Sequence, residues 1–246
     1  MRSVLITGAG GGIGVVLCRE FTQAGYRVIA TDIMANAPKL MCDVYISIDL
    51  DEMCRDAVIR DEAMAAIRSA VENGKLAAIV NNAALQVVKP VEALTADDWA
   101  ATFNVNMIAP FLLVQSLLPE LEAENGCVLN ISSIHAKLTK PGFVAYATSK
   151  AALSGLTRSM AVELGGKIRV NAIEPAAVIT DMLRAGFAND PGKIETLSSY
   201  HPSKCLGTPE EIAEVVLFLV RTNSRFLNGA IIDISGGIHA RLNDPG

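Results

Sequence analysis

Aromatic residues are scarce in this chain, making up 5% of its 246 residues, with a single tryptophan. A core built with so few must rest on aliphatic side chains, and hydrophobic residues reach 51% of the total. Most of these are Ala, Val, Ile and Leu, which suit strands buried on both faces and covered by helices. Positive charge is also in deficit, with 21 Lys and Arg against 26 Asp and Glu. No basic stripe interleaved with aromatics occurs, which excludes a nucleic-acid partner on electrostatic grounds. The cysteines Cys18, Cys42, Cys54, Cys127 and Cys205 are odd in number and form no CxxC pair. Neither a disulfide framework nor a zinc site fits that spacing, so they read as reduced thiols. No apolar run approaches the ~18 residues of a membrane span. Residues 1–7 lead into a glycine cluster, with no sustained apolar region and no small-residue cleavage site. They read as a first strand rather than a signal sequence, and the expected compartment is the cytoplasm. No Pro/Ser-rich linker or repeat divides the chain, so residues 1–246 are expected to form one domain.

Short β-branched runs alternate with helical segments from end to end. The runs are Ser3–Thr7, Arg27–Thr31, Val44–Ile48, Ala77–Asn81, Cys127–Ser132, Ile168–Ile173 and Ala230–Ile234. Segments of helical periodicity or composition include Gly12–Ala24, Met53–Val71, Trp99–Glu124, Tyr146–Leu164 and Pro209–Val220. This alternation predicts an α/β fold: a doubly wound, seven-stranded parallel sheet with helices on both faces. The longest irregular stretch, Asp181–Leu206, contains Gly186, Pro191, Gly192 and Pro202. Such long loops are uncommon and usually functional, so it is a candidate substrate lid.

Thr7-Gly8-Ala9-Gly10-Gly11-Gly12-Ile13-Gly14 lies directly between the first strand and the first helix. Glycines there allow a tight turn and the approach of a diphosphate to the free N–H groups of a helix N-terminus. Asp32 ends the second strand, where a carboxylate can bind both ribose hydroxyls of adenosine and repel a 2′-phosphate. No Lys or Arg lies in the glycine loop or between Asp32 and Lys39. NAD is therefore expected rather than NADP.

Tyr146 and Lys150 are spaced i, i+4, which places both on one face of a helix. A lysine ammonium beside a phenol lowers its pKa, and a phenol so tuned can act as general acid or base. That spacing alone is weak evidence. Thirteen residues before Tyr146 stands Ser133, at the end of a predicted central strand, where a hydroxyl points into the crevice above the sheet.

With these markers the chain resembles the short-chain dehydrogenase/reductase family over Thr7–Gly237. They run in order: the TGxxxGxG of Thr7–Gly14, Asp49-Leu50, Asn81-Asn82-Ala83, Asn106, Ser132-Ser133, Tyr146 with Lys150, Pro175 with Thr180, and Gly236-Gly237. The resemblance implies a three-layer Rossmann fold and interconversion of a secondary alcohol and a ketone. It implies Tyr146 as acid/base, Lys150 as its pKa-lowering partner and ribose ligand, and Ser133 as the group polarising the substrate oxygen. Asn106 would hold a water in a proton relay. Gly8, Gly10, Gly11, Gly12, Ile13, Gly14, Asp32, Asp49, Leu50, Asn82, Ala83, Pro175, Val178 and Thr180 would surround the cofactor. Within that set, Asp49 and Leu50 would approach the adenine, Asn82 would steady the sheet, and Thr180 would bind the carboxamide. Gln86, Ser133, His135, Tyr146 and Ala177 are the expected substrate contacts. Relatives associate as dimers or tetramers through two long helices and the C-terminal strand region. The apolar stretches Phe103–Leu118 and Ala151–Leu164 suit such an interface, or burial against the chain's own sheet.

Ala84 and Ala176 stand where the family usually has glycine, which leaves the shape of the nicotinamide pocket open. The segment between Asp49 and Asn81 is longer than usual, with the extra residues expected in a surface helix or its loop. Ser-Ser-x-His at Ser132–His135 resembles sugar-oxidising members, where a histidine binds a polyhydroxylated substrate. A rim histidine in a polar loop is the plainer alternative. His201 and His239 have no partners at metal-ligand spacing, and no metal site is expected. Two rival readings are an NADP(H)-dependent carbonyl reductase and a non-catalytic dinucleotide-binding scaffold. The first needs Asp32 turned from the ribose, and the intact Asn106, Ser133, Tyr146 and Lys150 set argues against the second.

Overall fold

The computed structural model describes residues 1–35, 39–187 and 190–242. Seven parallel strands form one sheet: β1 (Arg2–Thr7), β2 (Tyr26–Asp32), β3 (Val44–Ser47), β4 (Leu76–Asn81), β5 (Cys127–Ile131), β6 (Arg169–Pro175) and β7 (Ile231–Ile234). Their order is β3-β2-β1-β4-β5-β6-β7, so the direction in which successive strands are added reverses at the β1/β4 boundary. In an open α/β sheet the crevice at that boundary, at the carboxyl ends of the strands, is where ligands bind.

Each strand feeds both faces of the sheet through its two-residue period. Val4, Ile6, Val28 and Ala30 pack under α1 (Gly12–Gln23) and α10 (Pro209–Arg221), against Leu17, Phe21, Val216 and Leu219. Leu5, Ile29, Ile79 and Val128 face the other layer, which holds α3 (Ala57–Ala70), α5 (Ala109–Ser116) and α7 (Val144–Leu164). Burying each such aliphatic side chain stabilises the fold by roughly 1.5–3 kcal/mol.

The helices are cut more finely than periodicity predicted. The expected Met53–Val71 helix is α2 (Leu50–Arg55) and α3, separated at Asp56, whose carboxylate accepts from Val58 and Ile59 and starts α3. The expected Trp99–Glu124 helix begins earlier, as α4 (Ala96–Phe103), because Thr95 and Asp98 form a capping box. It then passes through a π turn at Asn104–Ile108, α5, and α6 (Leu118–Glu122), with Pro119 in the first turn of α6. Among the described residues the stretch Asp181–Leu206 is largely helical. It holds α8 (Asp181–Gly186), capped by Thr180, and α9 (Pro191–Tyr200), capped by Asp190 with Pro191 at the first helical position.

Candidate active site

The glycine loop starts from a left-handed residue, Gly8, at φ +63°. A Cβ there would lie 2.6 Å from Ala83 Cα, so the loop and the end of β4 meet backbone to backbone. Asn82 locks that meeting: its Nδ2 donates to the carbonyls of Thr7 (3.0 Å) and Gly8 (2.9 Å). Thr7 Oγ1 in turn accepts from the amides of Asn82 and Ala83, each at 3.1 Å. At Gly14 a Cβ would run into the Gly8 carbonyl, and at Gly12 it would lie 2.9 Å from Thr180 Cγ2. Gly11, the N-cap of α1, supplies no side-chain cap. The N-terminus of this twelve-residue helix therefore presents its N–H groups and dipole to whatever sits above the loop. A dinucleotide diphosphate fits that cradle.

Asp32 sits against the loop, with Oδ2 accepting from Gly10 N at 2.8 Å and Oδ1 from Ile33 N at 2.8 Å. Asp49 caps α2 through Oδ1, which accepts from Asp51 and Glu52, while Leu50 is buried in the core. The Leu50 side chain is thus committed to packing, leaving the second Asp49 oxygen for a ligand. Pro175 ends β6, Val178 bridges to Gly207, and Thr180 Oγ1 accepts from Leu183 N at 3.3 Å. The Thr180 hydroxyl keeps its proton for a ligand. Neither Ala84 nor Ala176 has a positive φ, so the methyls that replace the family's glycines cause no backbone strain.

Across the crevice, Ser133 follows β5, and Tyr146 and Lys150 lie in the first two turns of α7. Ser133 Oγ accepts from His135 N (3.2 Å), starting a 3-10 turn at Ile134–Ala136. Lys150 is 1% exposed, and its Nζ donates to the Ile131 carbonyl at 2.7 Å and lies 5.8 Å from the centroid of the Tyr146 ring. Burial pulls the Lys150 ammonium down to about 7. Burial also pushes the Tyr146 phenol up, with the Ser133 hydroxyl acting the other way. Loss of water dominates at both groups, and the expected lowering of the phenol by Lys150 is not among the causes of its shift here. Tyr146 accordingly keeps its phenolic proton near neutral pH.

Asn106 lies in the π turn. Its Nδ2 donates to Leu85 O and Ser149 Oγ, both at 2.9 Å, and its Oδ1 accepts from Leu85 N at 2.7 Å. Both amide protons are therefore engaged by protein groups, so the side-chain amide has none to give a relay water. Ser149 closes the link by donating to Tyr146 O at 2.7 Å. Gln86 and Ala177 occupy the loops after β4 and β6 at the same edge of the sheet, and no hydrogen bond joins the Gln86 side chain to the cluster among the described residues.

His135 stacks on Phe143 (centroids 4.6 Å apart, 6° between planes) and meets Tyr146 edge-on at 5.8 Å. Burial, with the Lys140 charge adding to it, lowers the imidazole to about 4, so it is neutral. Phe143 went unnoticed in the sequence, although its place three residues before Tyr146 puts it on the same helical face. Glu174 was also missed. It is 0% exposed in β6, accepts from Ser154 Oγ at 2.7 Å, and meets Lys137 Nζ at 2.9 Å. A charged residue inside an apolar strand was the available signal. Its Oε2 is close enough to Lys137 for an ion pair but lacks hydrogen-bond alignment, so the contact is Coulombic.

A groove between α1 and α10, lined by Glu20, Glu210, Glu211, Glu214 and Phe218, is away from these residues. Its carboxylates oppose a diphosphate. Among the described residues no cluster of metal-ligating side chains occurs, and no helix is long and apolar enough to cross a membrane.

Residues 8–239 match the family model described as Enoyl-(Acyl carrier protein) reductase. The 7alpha-hydroxysteroid dehydrogenase of Escherichia coli K12 is 34% identical over 98% of this chain and 96% of its own. The 3-oxoacyl-[acyl-carrier-protein] reductase FabG of Thermotoga maritima is 35% identical over 95% of this chain and 96% of its own. The ligand-free aldohexose dehydrogenase of Thermoplasma acidophilum superposes with a TM-score of 0.90 at 26% identity, covering 100% of this chain and 96% of its own. 4-Hydroxyisoleucine dehydrogenase complexed with NADH gives a TM-score of 0.87 at 26% identity, over 98% and 100% of the two chains. ElxO with NADP bound gives 0.86 at 26% identity, over 98% and 99%. The chain belongs to the short-chain dehydrogenase/reductase family of oxidoreductases, which act on CH–OH groups with a nicotinamide dinucleotide.

Proposed function

We propose that this protein is an NAD(H)-dependent dehydrogenase that interconverts a secondary alcohol and a ketone, with Tyr146 as the proton donor and acceptor. The observation that carries the reading is the facing arrangement at one sheet edge. The uncapped α1 N-terminus and Asp32 lie on one side of the β1/β4 boundary, and Ser133, Tyr146 and Lys150 on the other. The dinucleotide, when bound, supplies hydride transfer. The chain's own groups do the rest. Gly12 and Ile13 offer main-chain N–H groups to the diphosphate, while Gly11 N–H closes the loop on Gly8 O, and Asp32 takes the adenosine ribose. Ser133 donates to the oxygen that gains charge, and Tyr146 gives its proton to that oxygen in reduction or takes it in oxidation. Lys150 stands beneath the phenol, and Asn106 holds the loop at Leu85 against the start of α7.

Asp32 supports NAD over NADP because its charge, fixed by two backbone N–H groups, would repel a 2′-phosphate on the ribose it is assigned to bind. Like charges so placed cost several kcal/mol, so NADH should exceed NADPH in kcat/KM by about 100-fold or more. Comparable rates would reject the NAD assignment. Tyr146→Phe should abolish turnover while leaving NADH binding within about twofold; turnover that survives it rejects the mechanism.

The substrate is taken to enter between the Ile134–Ala136 turn and the segment Asp181–Leu206, acting as a lid. Assembly through α5 and α7 is part of the same reading, since Val162 on α7 is 87% exposed.

A further inference from the structure

Lysines in this acidic chain mostly have carboxylate partners. Lys89 meets Asp98, Lys137 meets Glu174 and Asp233, Lys167 meets Glu122, and Lys193 meets Asp190. Lys140 has none among the described residues. Its ammonium instead lies over two aromatic faces, 4.7 Å from the centroid of Phe143 and 5.7 Å from that of Phe187. Phe187 caps the C-terminal end of α8, in the lid, and Phe143 is the N-cap of α7. Phe143 stacks on His135 and meets Tyr146 edge-on at 6.1 Å. Lys140 is thus one ring away from the reacting phenol, at the seam between loop and lid.

Its place is built rather than incidental. The loop carrying it is held at one end by Lys137 on the buried Glu174 and at the other by Lys89 N donating to Gly142 O at 3.0 Å. Gly142 makes the closing turn at φ +86°. Aromatic faces attract a cation through their quadrupole but carry no net charge, so they fix the ammonium without neutralising it. A positive charge with no carboxylate partner among the described residues therefore stands at the entrance assigned to the substrate above. The neighbouring imidazole contributes none, since burial keeps it neutral.

Resting on the dehydrogenase reading above, we infer that the substrate carries an anionic oxygen group, which Lys140 binds while Ser133 and Tyr146 hold the reacting oxygen. A carboxylate and a phosphate share this chemistry. Neutral sugars, the class suggested by His135, do not.

The test compares matched pairs with NAD: 3-hydroxybutanoate against its methyl ester, and glycerol 3-phosphate against glycerol. At least one charged member should exceed its neutral partner in kcat/KM by about tenfold. That ratio should fall to about one in Lys140→Gln and return in Lys140→Arg, and the pair that responds distinguishes carboxylate from phosphate. Titration calorimetry of the NAD-saturated protein with butanoate and butanamide, and with methyl phosphate and methanol, reads the same contact without turnover. A Lys140-dependent preference for an anion supports the inference. No preference in either pair, or one that survives Lys140→Gln, overturns it. Intact anion preference in binding with no turnover of any secondary alcohol rejects the dehydrogenase reading instead.

Discussion

At Lys150 and His135 the loss of water sets the charge, and the sign of each pH dependence follows. Lys150 is about 7 in the folded protein against 10.5 for an ordinary lysine. Between those values the unfolded chain binds the proton that the folded chain has released, so stability rises with pH across that window. Below about 7 the buried charge weighs fully against folding. Lys150→Met, of similar length and uncharged, should therefore raise Tm at about pH 6, with the gain shrinking toward about pH 10; a fall in Tm at the acid end contradicts this. His135 moves from 6.5 to about 4, so stability should decline as pH drops through that interval while its ring remains neutral. NMR titration of the His135 imidazole checks this, and a midpoint near 6.5 refutes it. Spacing made Tyr146 and Lys150 legible, because i, i+4 is a local relation. The direction of their pKa shifts was not, because burial depends on β5 and its Ile131 carbonyl, remote in sequence.

Among elements, the buried end of β6 depends on one partner from another segment. Glu174 is fully buried, and Lys137 is the cation that compensates it. Lys137→Met should destabilise the protein by about 3 kcal/mol in urea unfolding, because it leaves a buried carboxylate unpaired. A loss under about 1 kcal/mol would mean the charge is relieved some other way. At α10, Thr208 and Glu211 form a capping box, and Thr208→Ala should cost about 1 kcal/mol by the same measurement. Local signals of this kind decided where helices were legible. The strands stood out through β-branched runs, whereas α8 and α9 were hidden by Gly186, Pro191 and Gly192, which looked like breakers. Asp190 followed by Pro191 was a helix start, readable once proline is taken as a first-turn residue. The π turn at Asn104–Ile108 left no mark in periodicity, since its extra residue shifts the phase only locally.

For the whole molecule, the alternation of strands and helices was enough to predict the sheet, because each buried strand shows its apolar run in the sequence. How the surface is covered was not predictable. Val162 on α7 and Phe218 on α10 are 87% and 61% exposed, on helices whose inner faces pack on the sheet. Light scattering should give a mass that is a multiple of 26.0 kDa, and Val162→Asp should reduce it with the circular dichroism unchanged. A mass of one chain rejects the proposed assembly. The wholly parallel sheet has a kinetic consequence as well. No two neighbouring strands can close as a hairpin, so every pairing waits for a crossover to be threaded. Such topologies have few local contacts to guide the search and fold slowly. The Thr7–Asn82 lock, across the boundary where the winding order reverses, can form only once β1 and β4 are side by side. Dinucleotide affinity should therefore return late in refolding, together with the final packing signal, so that no half-folded chain sequesters the coenzyme.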